Sequence, residues 1–304
     1  MSIAASDPKP APVRHGFRIP TLVAAGEGSQ DARSCGDFVG GQVWHDLQGG
    51  VWSRCQEAPD GRFVIDLPGV ARFCVDGRRG EVSVTPHRPH TEESLRDTYF
   101  RSVVPLALQA LGTEVLHASA VQTDVGVVAF CAESRMGKST LGYLLAERGY
   151  PLWSDDTVAF REEGGVTRTF PIPFKSRLRP ATTSFLRARS GSVPAPPWLD
   201  PGAGQQEAPP LAAICILDRV EAPLPSLVQL SPLSGATALS TLLTHAYCFS
   251  MQRQEMRQRM VRNYLDLIAA VPIFRLTFQS GLERVSEVLD HVEQALGENL
   301  LLNR

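Results

Sequence analysis

Apolar and polar positions alternate with one rhythm in the first third of the chain and with another thereafter. Between Phe17 and about Pro89, segments such as GRFVIDLPG, ARFCVDG and GEVSVTP set β-branched and aromatic residues between glycines, prolines and aspartates. That pattern predicts short strands separated by turns. In TEESLRDTYFRSVVPLALQALG the period lengthens, with Leu95, Tyr99, Val103, Ala107 and Leu111 recurring every fourth residue. This spacing predicts a helix with Thr91 as N-cap, Gly112 as its stop and a kink near Pro105. Beyond it, apolar runs (GVVAFC, AAICILD, IFRLTF) alternate with segments of helical spacing, which predicts an α/β arrangement.

These changes of period divide the chain into a Pro-rich tail over 1–16, expected to be disordered, a small β-rich domain over 17–90, a bridging helix over 91–112 and an α/β domain over 113–304. Within the last, SGSVPAPPWLDPGAGQQEAPP (190–210) is too rich in Pro and Gly for regular structure and reads as an insertion. The final helix carries Leu282, Val285, Leu289, Val292 and Leu296 on one face; Ser280 and Glu283 have capping-box spacing at its start, and Gly297 suits its end. No internal repeat is evident.

Composition narrows the picture modestly. The chain has 304 residues, 43% of them hydrophobic, enough for a buried core in one large domain or two modest ones. A formal net charge of −2 gives no global attraction to nucleic acid or anionic membrane, so neither is expected as a partner and any anion site must be local. The six cysteines, Cys35, Cys55, Cys74, Cys131, Cys215 and Cys248, form no C-x-x-C pair and read as reduced packing residues. No signal peptide and no run of about 18 apolar residues is found. A cytoplasmic location is expected, and a homo-oligomer is left open.

Chemistry enters at AESRMGKST, Ala132 to Thr140. A phosphate-binding loop is written G-x-x-x-x-G-K-[ST]. Here Gly137, Lys138 and Ser139 are in place while Ala132 stands at the opening glycine. A strand, GVVAFC, precedes the stretch, and a helix, LGYLLAERGY, follows it. The cradle would run through Ala132, Glu133, Ser134, Arg135, Met136, Gly137, Lys138, Ser139 and Thr140, where backbone N–H groups and a helix N-terminus converge on an anion. Lys138 would reach the β- and γ-phosphates, and the Ser139 hydroxyl would complete a magnesium shell. The alternatives, a solvated lysine and a serine that only caps the helix, stand beside these.

Just after an apolar entry, PLWSDDTVAF places Asp155 and Asp156 side by side. In a parallel α/β unit the carboxyl ends of neighbouring strands face one crevice, so the doublet would lie beside the loop. One carboxylate would hold Mg²⁺ while the other accepts a proton from an attacking hydroxyl; the alternative is an exposed turn.

Taken together, LHASAV with His117, the loop and SDD resemble the catalytic domain of HPr kinase/phosphorylase and its shorter relatives, the HPr-kinase-like serine kinases, including those found with lasso-peptide biosynthesis. The resemblance is specific over about 45 residues and continues more weakly through PIPFKSRLRP, AAICILDRV, QLSPLSGATALSTLL and VPIFRLTF. It implies a phosphoenolpyruvate carboxykinase-like P-loop domain behind a small β-rich domain. It also implies ATP and Mg²⁺ as cofactors, and transfer of the γ-phosphoryl group to an acceptor serine of a small protein or peptide. Carried onto this chain, Lys138 and Ser139 take the phosphate and metal roles, Asp155 is the candidate base, Asp156 the candidate metal ligand, and His117 would lie near the transferred phosphate or serve as a structural histidine.

The chain also departs from that pattern. Family loops resemble G-x-S-G-x-G-K-[ST], whereas Ala132 and Arg135 replace two of the glycines, and no E-x-R-G-x-G segment of the kind that accompanies phosphorylase activity is present. The basic positions Lys175, Arg177 and Arg179 face either the same cleft or solvent. A nucleotide-binding scaffold without transfer activity and a small-metabolite kinase remain as alternative readings.

Overall fold

The computed structural model describes residues 17–24, 41–46, 48–175, 178, 180–190, 207–221, 228–279, 281 and 284–301. They fall into two compact units, Met1–Glu92 and Glu93–Arg304. The fold is mixed α/β with several sheets.

In the first unit, strands β1 (Thr21–Ala24), β2 (Gln42–His45), β3 (Val51–Glu57), β4 (Phe63–Leu67), β5 (Ala71–Asp76) and β6 (Glu81–Pro86) form one sheet in the order β1-β6-β5-β4-β3-β2. The three strand segments read from the sequence are β4, β5 and β6. Their register lines up Cys55, Ile65, Phe73 and Val84 across four strands, all buried. The buried Asp66 collects Arg54, Arg72 and His87 around one carboxylate. Cys74 is disulfide-bonded, against the expectation of reduced thiols, while Cys55, Cys131, Cys215 and Cys248 are free.

The second unit opens on α1 (Glu92–Thr98), a π-helical turn (Tyr99–Val103) and α2 (Val104–Ala110). The expected kink is thus a π turn just ahead of Pro105. Proline has no N–H for the helical ladder, so the turn before it widens to i→i+5 bonding. Next come β7 (Glu114–Leu116), β8 (Ala118–Thr123), β9 (Gly126–Cys131), α3 (Lys138–Glu147), β10 (Leu152–Ser154), β11 (Val158–Glu163), β12 (Val166–Phe170) and α4 (Pro180–Ser190). The chain finishes through β13 (Leu211–Val220), β14 (Val228–Leu233), α5 (Gly235–Leu243), α6 (Gln254–Ala270), β15 (Ile273–Gln279) and α7 (Val285–Leu301).

A six-stranded sheet, β10-β8-β9-β13-β15-β14, forms the centre of this unit, and β12-β11-β7 form a second, antiparallel sheet. β9, β13 and β15 run parallel. Because both faces of the central sheet are covered, β9 is buried at every position, which is why GVVAFC reads as an unbroken apolar run. Val127, Ala129 and Cys131 pack with α5, α6, β7 and β11 on one side, and Val128 and Phe130 pack with α3 and α7 on the other. Burying a side chain the size of Phe130 contributes about 1.5–3 kcal/mol.

α7 continues past Gly297 to Leu301, so that glycine is tolerated inside the helix and does not end it. The capping pair Ser280 and Glu283 lies outside the described residues, as do the tail over 1–16, Arg177, Arg179 and most of the 190–210 segment. Among the described residues, no helix is long and apolar enough to cross a membrane.

Candidate functional site

Strand directions bring the chemistry together. β8 is antiparallel to β9, with Ala118 opposite Cys131, and β10 is antiparallel to β8, with Ser154 opposite Ala120. His117 immediately precedes β8, Ala132 follows β9 and Asp155 follows β10, so all three leave the same edge of the sheet. The expectation of a directly neighbouring parallel strand is thus corrected: β10 lies two strands from β9, across β8. Two antiparallel steps restore the direction, and the carboxyl end of β10 still faces the loop.

The loop spans Ala132 to Gly137 and leads into α3, whose N-cap is Gly137 (φ 103°) with no side-chain cap and no acidic residue in the first turn. The first intrahelical bond is donated by Leu141 to the Gly137 carbonyl (2.8 Å). The N–H groups of Lys138, Ser139 and Thr140 therefore form the positive end of the helix dipole at the loop. At the other end, Gly149 (φ 98°) donates to the Ala146 carbonyl and Tyr150 to that of Leu145, a Schellman ending that fixes the helix length. Arg148 bonds Asp290, Glu293 and the Ser286 carbonyl, fastening α3 to α7.

Of the two positions where glycine is missing, only one requires a left-handed backbone. Ala132 is not among the positive-φ residues and is buried in the core. Arg135 has φ 78°, so its Cβ costs about 1–2 kcal/mol. Glu133, Ser134 and Arg135 are exposed along the loop, and Met136 is half-buried.

Lys138 is buried and its Nζ donates to the carbonyl oxygens of Ala132 (2.7 Å) and Glu133 (3.4 Å), curling over the loop it belongs to. Burial lowers its pKa, offset in part by the charges of Asp156 and Asp155. Asp155 is buried and accepts a hydrogen bond from Ser119 Oγ (2.8 Å), itself fully buried on β8. Asp156 has φ 86° and pairs with Arg101 (3.0 Å).

His117 Nδ1 lies 3.1 Å from the Asp156 carbonyl. A carbonyl only accepts, so Nδ1 carries the proton and Nε2 presents a lone pair. Burial and Lys138 depress the pKa of His117, which favours the neutral ring. Its backbone N–H donates to the His245 carbonyl (2.7 Å), and Tyr247 packs edge-on against it.

A cleft of about 250 Å³ is lined by Arg101, His117, Ser134, Gly137, Lys138, Ser139, Thr140, Asp155, Asp156 and Leu178. Across Gly137 and Thr140, a second and more apolar recess of about 220 Å³ is lined by Met136, Leu141, Phe278, Val285, Val288 and others. Lys175 pairs with Glu93 (2.9 Å) and does not line the polar cleft.

The sequence reading did not single out Ser119, Arg101 or His245. Ser119 lies two residues after His117 within LHASAV, close enough in sequence to be weighed with it. Arg101 carries no local signal, because only folding brings it beside residues 55 positions later.

Among the described residues, no group of three or more His, Cys, Asp or Glu side chains could hold a metal alone. Asp155, Asp156 and Ser139 line the polar cleft together, and Mg²⁺ is commonly bound by one or two carboxylates with substrate phosphates completing the shell.

No protein-family model matches the chain, and no curated protein matches it. Among solved structures, it is similar to the Hpr(Ser) kinase/phosphatase from Coxiella burnetii, with 14% identity and a TM-score of 0.31 over 60% of this chain and 98% of that one.

Proposed function

We propose that this protein is an ATP- and Mg²⁺-dependent kinase with a phosphoenolpyruvate carboxykinase-like P-loop domain, transferring the γ-phosphoryl group to a serine hydroxyl of a peptide or small protein. One observation carries the reading. An uncapped helix N-terminus, a buried lysine and an acidic doublet meet at one sheet edge around a polar cleft. Such a cleft suits polyphosphate, and the adjoining apolar recess suits a nucleobase.

In this reading the amides of Lys138, Ser139 and Thr140 hold phosphate oxygens, and Lys138 releases the Ala132 carbonyl to reach the β- and γ-phosphates. Ser139 and Asp156 would hold Mg²⁺, which neutralises phosphate charge when bound. Asp155, fixed by Ser119, would accept the acceptor hydroxyl's proton as the new O–P bond forms and the β–γ bridging oxygen departs with its electron pair. His117, which lines the cleft with its Nε2 lone pair free of the Nδ1 bond, would orient that hydroxyl.

The test incubates the protein with Mg-ATP and serine-containing peptides, with phosphopeptide read by mass spectrometry. Phosphopeptide from the native protein, reduced at least about 100-fold by Lys138→Ala or Asp155→Asn, is expected for residues of this kind. Equal product from native protein and Lys138→Ala overturns the assignment. ATP binding with no transfer to peptide or metabolite returns the scaffold reading.

A further inference from the structure

Arg101 lines the same cleft, and the mechanism above gives it no task. It is carried by the π-helical turn ahead of Pro105, a distortion that recurs where a helix has to present a functional side chain. Its guanidinium sets Nε and Nη2 at 3.1 and 3.0 Å from one oxygen of Asp156, Oδ2. A structural Arg–carboxylate pair commonly spreads its fork over both oxygens. Here both donors converge on a single oxygen. Arg101 Nη1 and Asp156 Oδ1 make no hydrogen bond with the described residues, and 41% of the arginine side chain is exposed.

The partner is itself unusual. Asp156 stands at φ 86°, a left-handed conformation that few residues with a Cβ adopt and that aspartate tolerates better than most. The other acid of the doublet, Asp155, accepts a hydrogen bond from the buried Ser119. Asp156 has as partner a cation poised at the cleft.

Charge supplies the remaining step. Arg101 and Lys138 stand with Asp155 and Asp156 in the cleft lining, two cationic side chains against two acidic ones. A polyphosphate would meet no net positive side-chain charge, so a cation able to turn from a carboxylate to a phosphoryl oxygen has a large effect. A guanidinium matches two phosphate oxygens with parallel N–H donors, which an ammonium does not.

We propose that Arg101 is a ligand of the terminal phosphoryl group of a nucleoside triphosphate, with Asp156 as the resting partner that keeps it aimed into the cleft. This deepens, and rests on, the reading of the cleft as a polyphosphate site. Arg101 then distinguishes triphosphate from diphosphate, whereas Lys138 and the helix amides serve both.

Calorimetry tests the proposal, with Mg-ATP and Mg-ADP titrated into the native protein, Arg101→Ala, Arg101→Lys and Lys138→Ala. Loss of a charge-assisted bond predicts ATP binding about 10- to 100-fold weaker in Arg101→Ala, with ADP binding changed less than about threefold. Arg101→Lys keeps the charge but not the fork, and an intermediate loss confined to ATP is expected. Lys138→Ala weakens both nucleotides. Equal weakening of ATP and ADP in the Arg101 variants, as a purely structural ion pair would give, overturns the proposal, and so does no change in either. If Arg101→Ala does not fold, the Arg101→Lys comparison decides alone. Should the native protein bind neither nucleotide, the polyphosphate reading itself fails and takes this inference with it.

Discussion

Replacing Arg135 and Gly137 in turn separates backbone strain from side-chain chemistry in the loop. Arg135 at φ 78° lies near the left-handed basin, and Arg135→Gly removes a Cβ penalty of about 1–2 kcal/mol. The new glycine also gives the unfolded chain more freedom, which costs about 0.5–1 kcal/mol. The first term is the larger, so global stability should stay level or rise by up to about 1.5 kcal/mol. Gly137 lies further out at φ 103°, and a Cβ there would meet only Phe278 Cζ at 4.0 Å, an ordinary contact. Gly137→Ala therefore imposes strain with no clash to confuse it, and a loss of about 1–2 kcal/mol is expected. Urea titration followed by circular dichroism measures both, read as shifts in midpoint at constant slope. If Gly137→Ala proves as harmless as Arg135→Gly, or if Arg135→Gly destabilises by more than about 2 kcal/mol, the loop is not held as described.

Two further outcomes follow. Ser119→Ala removes the 2.8 Å donor to Asp155, and a coupling energy of about 1.5–3 kcal/mol is expected in a double-mutant cycle with Asp155→Ala; additive losses would show that the pair is not coupled. Burial, Lys138 and His117 depress His245 from 6.5 to about 4. The unfolded chain then binds more protons than the native state between those values, so this contribution to stability is fully present above pH 6.5 and is lost as pH falls toward 4. His245→Gln should flatten that part of a thermal-melting profile, and an unchanged acid limb would contradict the assignment.

The strand, loop and helix around Lys138 were legible because three independent patterns coincide: a buried apolar run, a glycine at a left-handed position and a helical period. Asp155 and Asp156 were legible as a doublet beside the loop, but the strand path that brings them there was not, since the antiparallel hairpin step through β8 leaves no trace in β10 itself. The cost of the altered loop was open between Ala132 and Arg135, and only backbone geometry assigns it to Arg135. Arg101 was hidden by its helix, where its charge reads as one more exposed residue until the π turn directs it toward Asp156. The boundary at Gly297 was misread because a glycine inside a packed helix looks in sequence like a stop.

The most direct test of a polyphosphate cradle follows backbone amide resonances while Mg-ADP is titrated into the intact protein. The account predicts saturable shifts concentrated at Glu133 to Thr140 and at Asp155 and Asp156, reached only at higher Mg-ADP concentration in Lys138→Ala. Saturation with those amides unmoved, or at the same concentration in Lys138→Ala, would contradict it.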